Sequence, residues 1–285
     1  VLTTDLTTTR ACFVAGPVVL DVQLQGGTDS FVQQLEHWAS TFPAAPGTEP
    51  HVHLLLSQSP ELQLPTLRSD LSRSPQVIES SATGERKKLE WQYFRAHVDT
   101  HRWEAIISAR PPALEHIVRA ALAHYLLFAR GLLFHAATLR FGNLTLLVPG
   151  HPNAGKSTLS VEGKPDEVLS NEISIISRDT EGNWTAWPSP FWGSGDTPRS
   201  SHPQRLTAAA VLNHDYEQNR WERLSGAGAV VALAPHVGCQ TSEQAGSPEL
   251  LTSLRQLAED LPVYRFGWLR ALDPFEDSPW KRSNP

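Results

Sequence analysis

The chain has 285 residues, two cysteines, no methionine and a formal net charge of −6. That length holds one large domain or two with enough core to fold unaided, and the acidic balance, with no basic block longer than Arg86-Lys87-Lys88, excludes a nucleic-acid footprint. Two cysteines are too few for a disulfide framework and have no zinc spacing, and the longest apolar runs, such as the one from Ala11 to Leu20 with its Gly16-Pro17, are too short to span a bilayer. A cytoplasmic protein without membrane or nucleic-acid partners is therefore expected. No charged leader precedes those runs, and the missing initiator Met reads as a processed or trimmed chain.

In chain order, Cys12-Phe13-Val14, Val18 to Leu24 and Val52 to Leu56 read as strands. Asp29-Ser30 is placed to cap a helix with Phe31, Gln34/Leu35 and Trp38 on one face. Residues 41–50 and 57–74 are Pro- and Ser-rich and read as loops. Glu90 to Val98 alternates imperfectly as a strand, with Trp103 to Ser108 as its hairpin partner. His51-x-His53 has the spacing of two ligands on one strand face, but it lacks a third ligand and reads as an exposed face. Residues 1–110 thus form a β-rich module without identifiable chemistry.

Pro111-Pro112 open a long helix whose Leu114, Ile117, Val118, Ala121, Leu122, Tyr125, Leu126 and Ala129 repeat at helical spacing, with Gly131 as the expected terminator. Leu132 to Phe141 then reads as a strand, Gly142-Asn143 as a tight turn, and Leu144 to Val148 as the returning strand. It leads directly into Gly150-His151-Pro152-Asn153-Ala154-Gly155-Lys156-Ser157-Thr158, a complete G-x-x-x-x-G-K-[ST] phosphate loop. Gly150 and Gly155 permit the backbone to curl its N–H groups around a phosphate, helped by the main chain of His151, Asn153, Ala154 and Thr158. Lys156 supplies a point charge for the outer phosphates, and the Ser157 hydroxyl is a hard oxygen ligand for Mg²⁺. The loop leaves a β-hairpin, so its neighbouring strand is antiparallel, unlike the βαβ setting of the ordinary nucleotide triphosphatases.

From Leu133 to Gly193 the chain resembles the HPr kinase/phosphorylase family, whose nucleotide-binding core is shared with phosphoenolpyruvate carboxykinase. The resemblance rests on Leu133-Phe134-His135-Ala136-Ala137 on the first hairpin strand, the phosphate loop, and Leu169-Ser170-Asn171-Glu172 where the family ends its next strand in paired aspartates. Trp187-Pro188-Ser189-Pro190-Phe191-Trp192-Gly193 is similar to the T-P-F-x-G segment of HPr-kinase-like kinases, and Leu261 to Phe266 to their final strand. In all, the resemblance covers residues 112–270.

It implies an α/β fold with a mixed, largely antiparallel sheet in residues 111–285, ATP and Mg²⁺ as donor and metal, and phosphoryl transfer to a hydroxyl of a peptide, protein or small molecule. Lys156, Glu172 and His135 would be catalytic, and Ser157 and Glu172 would hold the metal. Asn171 replaces one of the two family carboxylates, and Gly163-Lys164-Pro165 cuts short the helix after the loop. The glycine-rich signature of the phosphorylase activity is absent from the sequence. Asp196 could add a metal ligand or be a plain loop carboxylate. Trp187, Phe191 and Trp192 could line a pocket or plug a core edge.

Two other classes stay open: a nucleotide-binding pseudokinase or sensor, and a generic phosphate-loop triphosphatase. For the last, Leu224-Ser225-Gly226-Ala227-Gly228 is only similar in outline to a transporter signature, and Asn213-His214-Asp215 departs from N-K-x-D. A homo-oligomer is left open.

Overall fold

In a computed structural model, the structure describes residues 8–59, 62, 75–81, 86–99, 101–193, 199–213, 218–238, 244–270, 272–275 and 278–280. The fold is mixed α/β with two mixed sheets. Two compact units are formed, one by residues 1–129 with 239–247 and one by residues 130–238 with 248–285. The division falls after the long helix, whereas the sequence reading drew its boundary before it. Asp196, His214, Asp215, Cys239 and most of residues 57–74 lie outside the described residues.

The first unit is built on a seven-stranded sheet. Strands β1 (Thr8–Ala15) and β2 (Val18–Gln25) form a hairpin around Gly16, whose φ of 66° suits a residue without Cβ. Helix α1 (Asp29–Thr41) then crosses to β3 (Val52–Ser59), which runs parallel to β2. As its spacing predicts, Phe31, Leu35 and Trp38 are buried, with the Trp38 ring 5.4 Å from Phe13. The cap differs: Thr28 occupies the capping position, without a side-chain cap bond, and Asp29 sits in the first turn.

The expected strand over Glu90 to Val98 is two strands. Strands β4 (Gln76–Ser80), β5 (Lys87–Trp91), β6 (Phe94–Val98) and β7 (Arg102–Ser108) form an antiparallel meander, with β7 parallel to β3. The turn after Trp91 explains the broken alternation, because Trp91 and Phe94 pair across it and are both buried. His51 and His53 do not converge. His51 Nδ1 accepts the Val19 N–H at 2.9 Å, while His53 Nδ1 lies 3.1 Å from the buried Asp21 carboxylate. Asp21 also holds Arg10 at 2.8 Å, so this pair braces the strands.

Helix α2 (Pro112–Phe128) packs on β3 and β7. Its fully buried Leu114, Ile117, Val118, Ala121 and Leu122 follow the helical period. It ends differently from expectation. Ala129 is the cap, Arg130 adopts the left-handed conformation at φ 54°, and Gly131 already begins the next strand.

In the second unit β8 (Gly131–Phe141) and β9 (Leu144–Pro149) form the expected hairpin around Gly142. Helix α3 (Lys156–Glu162) follows the loop and stops at Gly163. Next come β10 (Glu167–Ser170), β11 (Ile173–Arg178), β12 (Trp184–Trp187), β13 (Gln204–Arg205), β14 (Ala208–Asn213) and β15 (Arg220–Leu224). Helices α4 (Gly226–Leu233) and α5 (Pro248–Asp260) precede β16 (Val263–Gly267), the strand expected near Leu261 to Phe266. The sheet order is β13-β12-β11-β8-β9-β14-β16-β15, with β10 also on β8. Among the described strand pairs of this sheet β9–β14 and β14–β16 are parallel and the rest antiparallel, so the loop leaves a largely antiparallel sheet.

Burial on α2 has a consequence for acid stability. The pKa of His116 is pushed down to about 4 by burial and Arg119, and that of His124 to about 4 by burial, Lys87 and His101. Gln244 donates to His124 Nδ1 at 2.9 Å, which suits the neutral ring. The unfolded chain binds more protons between these values and the ordinary histidine pKa near 6.5. Stability is therefore full above about pH 6.5 and is lost as pH falls toward 4, by roughly 3 kcal/mol for each ring. Urea unfolding followed across this range should show that slope, and His124→Gln should flatten it. An undiminished slope in the variant would contradict the assignment.

Candidate nucleotide site

The loop is held by the residues that end β9 and begin α3. Gly150 lies so close to the floor that a Cβ there would sit 3.0 Å from Ala154 Cβ and 3.4 Å from Leu212 Cβ of β14. Asn153 and Gly155 take positive φ values of 64° and 94°, which turn the backbone into a concave cradle before α3 begins. The Ala154 N–H is spent inside the loop, donating to His151 O at 3.0 Å. Leu159 anchors α3 in the core with Ala137, Val148, Ala210 and Leu212.

Lys156 is 6% exposed and folds back under the loop, where Nζ donates to Gly150 O at 2.8 Å and His151 O at 3.0 Å. Burial lowers its pKa, and the Glu172 carboxylate opposes that shift. Ser157 on the first turn is exposed and Thr158 half-buried, so the Ser157 hydroxyl is open to a ligand. The hydroxyl and the Glu172 carboxylate are both hard oxygen donors, the chemistry Mg²⁺ selects. Among the described residues no three His, Cys, Asp or Glu side chains cluster as a metal site.

The far wall comes from β10 and β11, which form one strand alongside β8 with a single extra residue. Val168 pairs with Leu139 but Ser170 pairs with Thr138, so Leu169 is the bulge. From there the register continues unbroken: the Ala136 N–H donates to Glu172 O at 3.0 Å and Ile173 pairs with His135. Glu172 and His135 are both half-buried. The expected wall thus assembles beside Lys156, although Asn171 serves structure. It is 2% exposed, and its Oδ1 accepts the Gly193 N–H at 2.8 Å.

That contact brings the Trp187-to-Gly193 segment onto the site. Ser189 N–H donates to Leu169 O at 3.1 Å, and a Cβ on Gly193 would lie 3.0 Å from Glu172 Oε2. The aromatics of the segment do not line a pocket together. Phe191 is 1% exposed, Trp187 Nε1 donates to Ser177 Oγ at 2.9 Å, and Trp192 packs on the core with Arg199 4.2 Å above its ring.

Two features escaped the sequence reading. Thr138, Ser170 and Ser174 form a buried hydroxyl network on three strands: Thr138 Oγ1 donates to Ser174 Oγ at 2.8 Å, and Ser174 Oγ to Ala136 O at 2.9 Å. Thr138 stands out as a polar residue in a continuously buried run of β8, but nothing local pairs it with Ser174. The second is His236, 4% exposed, with its ring centroid 4.9 Å from that of His151 in the loop. Burial, His151, Lys156 and His135 push its pKa down to about 4. No sequence period marks it. The first unit also has a cleft of about 620 Å³, but its rim is occupied by the ion pairs Lys88–Glu79 and Arg102–Glu104.

Gly193→Ala should displace the Glu172 carboxylate by a few tenths of an ångström and lower any transfer rate more than nucleotide affinity, because the contact lies on the far wall. Gly150→Val should lift the loop from Leu212 and weaken nucleotide binding by more than tenfold. Titration calorimetry beside a rate assay separates the two, and equal losses of affinity would contradict this division. No protein-family model matches the chain, and no curated protein matches its sequence.

Proposed function

We propose that the chain is an ATP-dependent kinase similar to the HPr-kinase-like enzymes, transferring the γ-phosphoryl group to a hydroxyl of a peptide, protein or small molecule. The observation that carries this reading is Lys156, buried beneath the loop on the carbonyls of Gly150 and His151 with Glu172 in electrostatic reach. Phosphoryl transfer asks mainly for positioning and for charge placed where the phosphate oxygens gather. The loop amides and Lys156 would take the β- and γ-phosphates. Ser157 and Glu172 would hold Mg²⁺, which screens those oxygens and leaves the γ-phosphorus open to attack. Glu172 would accept the acceptor hydroxyl's proton, with His135 on the neighbouring strand β8 as the other candidate base. The hydroxyl would approach between His135 and the segment ending at Gly193.

One observation favours a second reading, a nucleotide-binding protein without turnover. The position of the first family carboxylate is Asn171, whose side chain is committed to Gly193. A single carboxylate must then serve both metal and proton, or only one of them.

Lys156→Ala should abolish ATP·Mg²⁺ binding measured by calorimetry while the nucleotide-free protein keeps its thermal stability, since a buried, desolvated charge is removed with its bonds. Unchanged affinity would remove the nucleotide assignment. In a radiolabel transfer assay with peptide and small-molecule acceptors, Glu172→Gln should slow transfer by at least a hundredfold. A full rate in that variant would rule out a catalytic Glu172, and bound ATP without transfer in the unaltered protein would favour the second reading.

A further inference from the structure

The inference concerns how the loop is held in shape, and it rests on the nucleotide reading. His236 lies far from the loop in sequence but ends the short 3₁₀ turn Ala234–His236 that follows α4. That turn is fastened to β8 on its C-terminal side, where Val237 bridges Phe134 and the Gly238 N–H donates to Leu133 O at 2.9 Å. The fastening fixes a buried imidazole against the outer curve of the loop. His151 is exposed to solvent, yet its ring meets that of His236 edge to face at 66°. An exposed loop residue thereby gains a rigid, buried partner supplied by another element.

We infer that His236 is a positioning residue for the phosphate loop: by clamping His151 it holds the Gly150–Asn153 curve in the form that receives the nucleotide's outer phosphates. The carbonyl of His151 is one of the two that hold Lys156, so displacement of His151 also releases the lysine. The groups that face His236 are His151 from the loop, Lys156 from α3 and His135 from β8. All three are neutral or cationic, which suits a wall beside bound phosphate. Because His236 meets the loop through His151, the quantity that reports on it directly is nucleotide affinity.

The test is ATP·Mg²⁺ affinity by calorimetry on the full chain, with His236→Ala, His151→Ala, the double variant and His236→Phe. An edge-to-face ring pair of this kind accounts for roughly two- to tenfold in affinity. His236→Ala and His151→Ala should each weaken binding by that factor, and the double variant by no more than either alone. His151 is exposed, so its loss leaves folding intact and isolates the clamp from any general destabilisation. His236→Phe fills the same space with a ring that can still meet His151 and should restore most of the affinity. Losses that multiply in the double variant, or unchanged affinity in His151→Ala, would overturn the inference. If the unaltered protein binds no ATP·Mg²⁺, the nucleotide reading falls and this inference with it. If it binds and His236→Ala binds equally well, only the role of His236 is lost.

Discussion

Strand β8 carries hydrogen-bonded neighbours on both edges, and the site is placed by that one strand. One edge holds β9 and so delivers the loop; the other holds β10 and β11 and so delivers Glu172. The pairing on the second edge turns on one inserted residue. Had Leu169 not been a bulge, Asn171 would stand opposite Ala136 and Glu172 opposite His135, with every side chain beyond it on the other face of the sheet. The hydroxyls of Thr138, Ser170 and Ser174, with the Ala136 carbonyl, tie the three strands together where the register changes. A buried polar network that is fully engaged rigidifies its surroundings and resists slippage.

The electrostatics of the second unit follow from the same arrangement. Lys156 is a desolvated cation whose nearest compensation is two peptide carbonyls and one half-buried carboxylate. The adjacent His236 is held neutral by burial and by the surrounding positive groups. The one cation is thus opposed by one carboxylate and walled by a neutral imidazole.

Much of this was legible in the sequence, and the rest was lost for identifiable reasons. The helical period of α2, the apolar runs of β8 and β9 and the loop's glycines are local signals, and the structure follows them. The hairpin before the loop was visible because Gly142-Asn143 is turn chemistry flanked by apolar strands. The turn between β5 and β6 was missed because Gln92-Tyr93 carries no such chemistry. Arg130 in a left-handed conformation was missed because a glycine stood one residue beyond it and drew the expectation. The site divides in the same way. Lys156 and Ser157 belong to a contiguous motif, whereas the bulge at Leu169, the link from Thr138 to Ser174 and the approach of His236 to His151 exist only once distant strands are paired.

Strand β14 opens with Ala208-Ala209-Ala210, all fully buried and flanked on both sides by parallel neighbours. Ala208 and Ala210, on one face with Leu212 beneath Gly150, form the floor on which the loop and α3 rest, while Ala209 faces the other side of the sheet. Any larger side chain there would raise the loop from below, so the floor has almost no freedom to vary. The upper wall is tied to that floor: Trp192 of the segment from Trp187 to Gly193 packs on the same core, and Phe191 is buried. A change of side-chain volume at Ala208, Ala210 or Leu212 would therefore be felt at once by the loop, by α3 and by Trp192 above them.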